Sequence, residues 1–189
     1  MNVRNGQGTA RFIEPMLLLR TDKLPEGDVW RYEVKFDGYR ALAIKSVGQV
    51  RLRSRNDKDF TKRYPGIVAA LAGLPDETIV DGEVVARDAA GKPVFQLLQN
   101  GGTHVHFYAF DVLMLSGKDV TAEPLVKRRE LLESHVLPRL AEPVRCSPVL
   151  EASLSDLIQS IRYERRAWKG WSQSAPTANT NRDSVQAPG

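Results

Sequence analysis

Cysteine is almost missing from this sequence, with Cys146 the single one in 189 residues. One thiol forms no internal disulfide, which excludes a disulfide-stapled secreted scaffold and fits a reducing compartment. Its own reading is a small buried hydrophobe. Histidine is scarce as well: of three, His104 and His106 form an H-x-H pair, but no third ligand sits at useful spacing, so they read as ordinary histidines and not a metal site. Long apolar runs are absent. Nothing nears the roughly 18 residues that a membrane span needs, so no membrane is expected as a partner. Before Arg20 the apolar stretch is only Met16-Leu17-Leu18-Leu19, without the small-residue cleavage pattern of a secretory signal, and cytoplasm is the expected location.

An excess of one charge is lacking too. The net charge is +4, and residues 161–189 alone carry +3 of it through Arg162, Arg165, Arg166, Lys169 and Arg182 against Glu164 and Asp183. The body is therefore nearly neutral, and a nucleic-acid surface on it has to be a local patch. Hydrophobic residues at 42% and charged residues at 26% are ordinary for a globular chain. The length suits one domain, or one domain and a tail. Composition shifts near Trp168: 170–189 is rich in Ser, Thr and Asn without an apolar period, and it is expected to be disordered because it buries too little to offset ordering entropy.

Upstream, the pattern is mostly short strands. Trp30–Ile44 alternates in places and carries Asp37-Gly38, a hairpin signal; Val50–Ser54 alternates apolar residues with Arg. Pro65–Leu74 reads as a short helix with Pro at its start and Gly73 and Pro75 at its end. Thr78–Arg87 and Val94–Leu98 read as a strand pair across the turn residues Asp88 to Pro93, and His106–Leu115 as a buried strand. Two helices follow. One starts at Pro124 with Leu125, Arg128, Leu132 and Val136 at helical spacing; the other starts at Ser153, with Asp156 completing a capping box. Adjacent hairpins with appended helices argue for an α+β fold. Lys127-Arg128-Arg129 reads as a solvated helix face, with a DNA-backbone contact as the alternative. Gly101-Gly102 reads as a flexible loop.

The densest chemistry lies in Glu33-Val34-Lys35-Phe36-Asp37-Gly38-Tyr39-Arg40, where period two puts Glu33, Lys35 and Asp37 on one strand face. Taken alone, K-x-D-G-x-R could be a surface ion-pair ladder. Three further pieces follow in order: Ser54-Arg55-Asn56 at a strand end, Asp81-Gly82-Glu83 after Ile79-Val80, and Phe107-Tyr108-Ala109-Phe110-Asp111-Val112-Leu113. With the lead-in Glu14-Pro15-Met16-Leu17, this series resembles the nucleotidyltransferase (adenylation) domain of ATP-dependent DNA ligases, most closely the ligase module of bacterial non-homologous end-joining ligases of the D type. The resemblance runs from about Phe12 to Ile161.

What it implies is an α+β fold of two antiparallel sheets flanked by helices. Residues 1–161 would be a partial adenylation domain and 162–189 an aberrant, mostly disordered tail. Lys35 would be the nucleophile that attacks the α-phosphate of ATP and holds AMP through a phosphoramidate. Glu33 would lie near the adenine end, Arg40 and Arg55 would bind ribose and phosphate, Glu83 would hold ribose or a metal ion, and Phe110 would stack on the purine. The implied cofactors are ATP and Mg²⁺. The implied partners are nicked or broken double-stranded DNA and Ku-type end-joining proteins, in repair and recombination at the nucleoid. An RNA ligase or capping-type nucleotidyltransferase shares K-x-D-G, and a non-catalytic nucleotide- or DNA-binding remnant is a third reading.

Two of the family's later motifs, E-G-x-V-x-K and K-x-K, are not in the chain, nor is its C-terminal OB-fold. Lys169-Gly170 stands where E-G belongs. Read one base earlier, the codons for Ala167–Ser174 force a Glu, because the last base of TGG joins the first two of AAR, and they admit L-E-G-L-V-A-K-R. A switch of reading frame near Tyr163–Arg166 is therefore expected, with an impaired enzyme as its result.

Overall fold

The computed structural model of the chain describes residues 8–16, 32–100 and 104–150, Asp156, and the backbone of 179–180. It divides into two units, Met1–Met16 with Phe36–Ser147, and Leu17–Lys35 with Pro148–Gly189.

The first unit is organised by strands that bury both faces. In one unit-2 strand, β1 (Tyr32–Glu33), the ladder is short, whereas in β2 (Tyr39–Ser46) the run Ala41-Leu42-Ala43-Ile44 is wholly buried. Small and large apolar side chains therefore alternate between two packed faces. β2 pairs antiparallel with β3 (Gln49–Ser54) and β4 (Thr78–Ala86), and β4 pairs with β5 (Val105–Leu115). The far edge of β5 takes β6 (Lys118–Asp119) at one end and β7 (Val144–Cys146) at the other. β7 runs parallel to β5, the exception in an otherwise antiparallel sheet.

One face packs Ala41, Leu52, Val80, Val84 and Phe107 against Ile67 of α1 (Pro65–Ala70), Leu98 of α2 (Phe95–Gln99), and Leu132 and Val136, which follow α3 (Leu125–Leu131) in a π-helical turn. The opposite face has a smaller apolar cluster of Leu42, Ile44, Ile79, Leu113 and Met114, covered by Ala10, Phe12 and Ile13 of the N-terminal segment. Glu77 ties that segment down, its carboxylate accepting from the Ala10 and Val47 N–H groups and the Ser46 hydroxyl. The second unit contributes β1 between β8 (Val149–Leu150) and β9 (Asn179–Thr180), both antiparallel.

Several expectations hold: the strands at Val50–Ser54, Thr78–Arg87 and His106–Leu115, and the helix from Pro65, which ends in a 3-10 turn at Leu71–Gly73. Others do not. The β2–β3 hairpin turns at Val47-Gly48, whose φ values are 51° and 73°, and not at Asp37-Gly38. Gly38 is required for a different reason, since a Cβ there would stand 2.3 Å from the Val84 carbonyl oxygen. Val94–Leu98 is no strand. The Asp88 carboxylate folds the chain back by accepting from the Ala90 and Lys92 N–H groups, Arg87 bridges Pro93, and the five apolar-rich residues then coil into α2 so that Leu98 reaches the core. β4 takes β5 as its partner instead.

The expected helix from Ser153 falls outside the described residues except at Asp156, which is helical. The Gly101-Gly102 loop lies outside them as well. The stretch 170–189 also lies outside them except at Asn179–Thr180, where the expectation of no regular structure is corrected. Pairing with the edge of β1 is a backbone interaction, and it asks for no apolar period.

Candidate functional site

Three strand positions in the first unit, Asp81, Glu83 and Phe110, converge around Arg40. It is the second residue of β2, directly opposite Glu83 of β4. The approach is close because Gly38 has no side chain: a Cβ there would meet Glu83 Cγ at 2.9 Å. The Arg40 guanidinium forks onto Asp81, with Nε donating to Oδ1 at 3.1 Å and Nη2 to Oδ2 at 2.7 Å, while Nη1 donates to the Met16 carbonyl oxygen at 2.7 Å. Its Cζ stands 5.4 Å from the centroid of the Phe110 ring, a cation–π arrangement. Arg55, just past β3, donates its backbone N–H to the Arg40 carbonyl oxygen, and its side chain is exposed.

Phe110 owes its position to an irregularity. Asp81 of β4 faces Asp111 of β5, yet the next residue, Gly82, faces Ala109, so the register passes over Phe110. Such a bulge bends a strand and re-aims its side chains, and here it leaves Phe110 half-buried beside Arg40. Gly82 is itself obligatory, since a Cβ would lie 2.4 Å from the Phe107 ring and 2.6 Å from the Tyr108 carbonyl oxygen.

The two facing carboxylates are buried, and each has its own arginine. Asp81, with 2% of its side chain exposed, pairs with Arg40; Asp111, with 10%, pairs bidentately with Arg128 of α3 at 2.8 and 2.9 Å. Burial pushes the Asp81 carboxyl above the ordinary aspartate value, the Arg40 bonds counter this, and the nearby Asp111 charge adds to the rise. Burial works against the Arg40 cation, but the bonds to Asp81 and the carboxylates of Glu83 and Asp111 outweigh it and hold its pKa high.

In the second unit, Glu33 ends β1, half-buried and opposite both Val149 and Asn179, and Lys35 is exposed two residues on. The strand stops at Glu33, so the single strand face expected for Glu33, Lys35 and Asp37 does not form. The next residue, Phe36, belongs to the first unit and is buried there on Tyr108 of β5, with ring centroids 4.2 Å apart. Thus, of the six residues singled out, the structure gathers Arg40, Glu83 and Phe110, ties Arg55 to them through its backbone, and sets Glu33 and Lys35 on the other unit.

The sequence reading missed the second ring of charge. Lys127 is exposed, but Arg128 and Arg129 are not a solvated face: α3 lies against β5, Arg128 is bound to Asp111, and Arg129 is buried, donating to the carbonyl oxygens of Phe110 and Ser147 and to Cys146 Sγ. Cys146 is accordingly half-buried and hydrogen-bonded, not a plain hydrophobe. The available signal was an acid inside each of two apolar strands, because a buried carboxylate demands a cation. His106 on β5 is half-buried, and burial lowers its pKa, with Arg145 adding to the effect. Among the described residues no three His, Cys, Asp or Glu side chains converge as a metal cage, and no helix is long and apolar enough to cross a membrane.

Arg40, Glu83 and Phe110 thus stand together on neighbouring strands of one sheet, with the K-x-D-G sequence Lys35–Gly38 ahead of them in the chain. Residues 15–162 match the ATP dependent DNA ligase domain, and the chain belongs to that family. It is 37% identical over 155 residues to the multifunctional non-homologous end joining protein LigD of Pseudomonas aeruginosa, covering 79% of this chain and 18% of that protein. Among solved structures, the ligase domain of Mycobacterium tuberculosis LigD superposes with a TM-score of 0.65 at 33% identity, over 87% of this chain and 52% of that one. A mycobacterial DNA ligase D complexed with ATP and MES gives 0.61 at 33%, over 75% and 46%. The chain thus spans about half of the solved ligase domains and under a fifth of the full-length relative. The fold is that of a D-type ligase adenylation domain.

Proposed function

We propose that this chain carries the self-adenylylation step of ATP-dependent DNA joining in end-joining repair, in a form impaired by the loss of its last motifs. Lys35 Nζ, once it has lost a proton, attacks the α-phosphorus of ATP; the P–N bond forms, the bond to the bridging oxygen breaks, and pyrophosphate leaves with the electron pair. Phe110 stacks on the purine, Glu33 contacts its adenine end, Arg40 and Arg55 take ribose and phosphate, and Glu83 takes the ribose or a metal ion.

The observation that carries this reading is the joint placement of Arg40, Glu83 and Phe110 on one sheet in a chain whose family uses ATP. No protein cage for Mg²⁺ exists among the described residues. Glu83 supplies one carboxylate, which fits the usual mode of one or two carboxylates plus nucleotide phosphates; a bound Mg²⁺ would neutralise charge on the triphosphate. The AMP acceptor would be nicked or broken double-stranded DNA, delivered with Ku-type proteins at the nucleoid.

The frame switch near Tyr163–Arg166 is part of the proposal, and the family match ending at residue 162 supports it. The test is labelled ATP with Mg²⁺ on this chain and on a frame-restored version carrying the family's C-terminal domain. A covalent AMP adduct on the restored protein that Lys35→Ala abolishes is the expected result. Reversible binding alone in the restored protein would make the chain a nucleotide-binding remnant and refute the enzyme.

A further inference from the structure

The β5 bulge that presents Phe110 is gripped by two consecutive arginines of α3, and we propose that Arg128 and Arg129 are positioning residues for the nucleotide, setting where Phe110 and Arg40 stand. The inference rests on the reading of Phe110 as the purine platform and of Arg40 as a ribose–phosphate contact.

A bulge takes a residue out of the ladder, and its backbone groups must find other partners. The Phe110 carbonyl oxygen finds Arg129 Nη1 at 3.2 Å. Arg129 cannot swing away, because Nε donates to Glu133 Oε1 at 2.9 Å and Nη2 to the Ser147 carbonyl oxygen. The next residue of the bulge, Asp111, is held by the Arg128 fork, while Arg128 Nη1 donates to the Glu123 carbonyl oxygen at 2.6 Å. One turn of one helix therefore fixes both the backbone and the side chain of the bulge.

Charge gives the second argument. Asp81 and Asp111 face each other across β4 and β5, and like charges directly opposite repel. With Arg128 in place each carboxylate has its own cation. Without it two buried carboxylates would share Arg40, whose fork would be drawn from Asp81 towards Asp111 and away from its present place beside Phe110. Replacing a buried ion pair by apolar packing is often neutral for stability, whereas removing one partner is costly, so what the pairs add beyond apolar packing is geometry.

The experiment uses the full 189-residue chain and, as its probe, 2-aminopurine riboside triphosphate with Mg²⁺, whose fluorescence falls when the base stacks. Arg128→Lys and Arg129→Lys keep the charge and lose the planar fork. Each is expected to raise the Kd by about tenfold, the effect of losing one charged hydrogen bond, and to remove most of the quenching, while the melting temperature of the free protein also falls because buried acceptors lose their donors. The paired change Arg128→Gln with Asp111→Asn, which restores a neutral hydrogen bond, is expected to recover most of the affinity; it also serves as the probe should a lysine variant fold poorly. Quenching in the wild type that Phe110→Ala removes but both lysine variants retain would overturn the positioning role and leave the site reading standing. No quenching in the wild type, or equal quenching in Phe110→Ala, would remove the site reading and the positioning role together. Folded variants with a lower melting temperature but the wild-type Kd and quenching would show the arginines to be merely structural.

Discussion

Gly38 and Gly82 are both places where any side chain would collide with a neighbouring strand, and both sit inside the motifs that flag the site. The K-x-D-G and D-G-E patterns were legible in the sequence, but the reason for their glycines was not. Asp37-Gly38 looked like a turn because turn chemistry is local, whereas the contact of Gly38 with Val84 is made by a residue 46 positions on. Gly82→Ala is expected to destabilise the chain by about 1–3 kcal/mol, the usual effect of overpacking a filled core, as read by urea unfolding. Because the first atom it meets is the Phe107 ring, adding Phe107→Leu should return part of that loss. Simple additivity of the two changes would show that the clash is relieved elsewhere. The partners of Asp81 and Asp111 were similarly invisible, since Arg40 and Arg128 lie 41 and 17 residues away.

At the scale of elements, long runs were read well and short ones poorly. β5, with eleven residues, and β4, with nine, declare themselves through aromatic and β-branched content. The five residues of α2 are too few to show a period, and an apolar run of that length suits helix and strand alike. The bulge is undetectable in sequence because it exists only as a relation between β4 and β5. The N-terminal segment is held by a titratable clamp. Hydrogen bonding from the Ala10 N–H, aided by Val47 and Ser46, keeps the Glu77 carboxyl below its ordinary value of 4.5. The folded chain therefore binds this proton less tightly than the unfolded chain. The Glu77 contribution is complete above that ordinary value and is lost as pH falls through the lower folded value. The protection factor of the Ala10 amide, taken against the intrinsic exchange rate at each pH, should fall over that acid range, and Glu77→Gln should make it low and nearly independent of pH there; an unchanged profile would exclude the clamp.

For the whole molecule, the chemistry that is retained and the chemistry that is lost fall on different stretches of chain. The strands that place Arg40, Glu83 and Phe110 are all complete before residue 116, while the groups expected to act on the α-phosphate belong to motifs absent from the sequence. Losing one preorganised group of that kind costs about 10²–10³ in rate, and several act together without simple additivity. The 189-residue chain is expected to seal no nicked DNA in a gel assay, and the frame-restored protein with its C-terminal domain to seal it. Sealing by the short chain after rigorous removal of contaminating ligase would refute this account of the missing motifs. The parallel strand β7 bears on how such a chain survives its own synthesis. β2 to β5 emerge from the ribosome first, leaving the Phe107–Ala109 edge of β5 open to any other strand until Val144–Cys146 arrives to close it. A chain stopped before Val144 would present that edge to its neighbours and aggregate. A chain that includes Val144–Cys146 closes that edge with its own residues, whatever sequence follows residue 162.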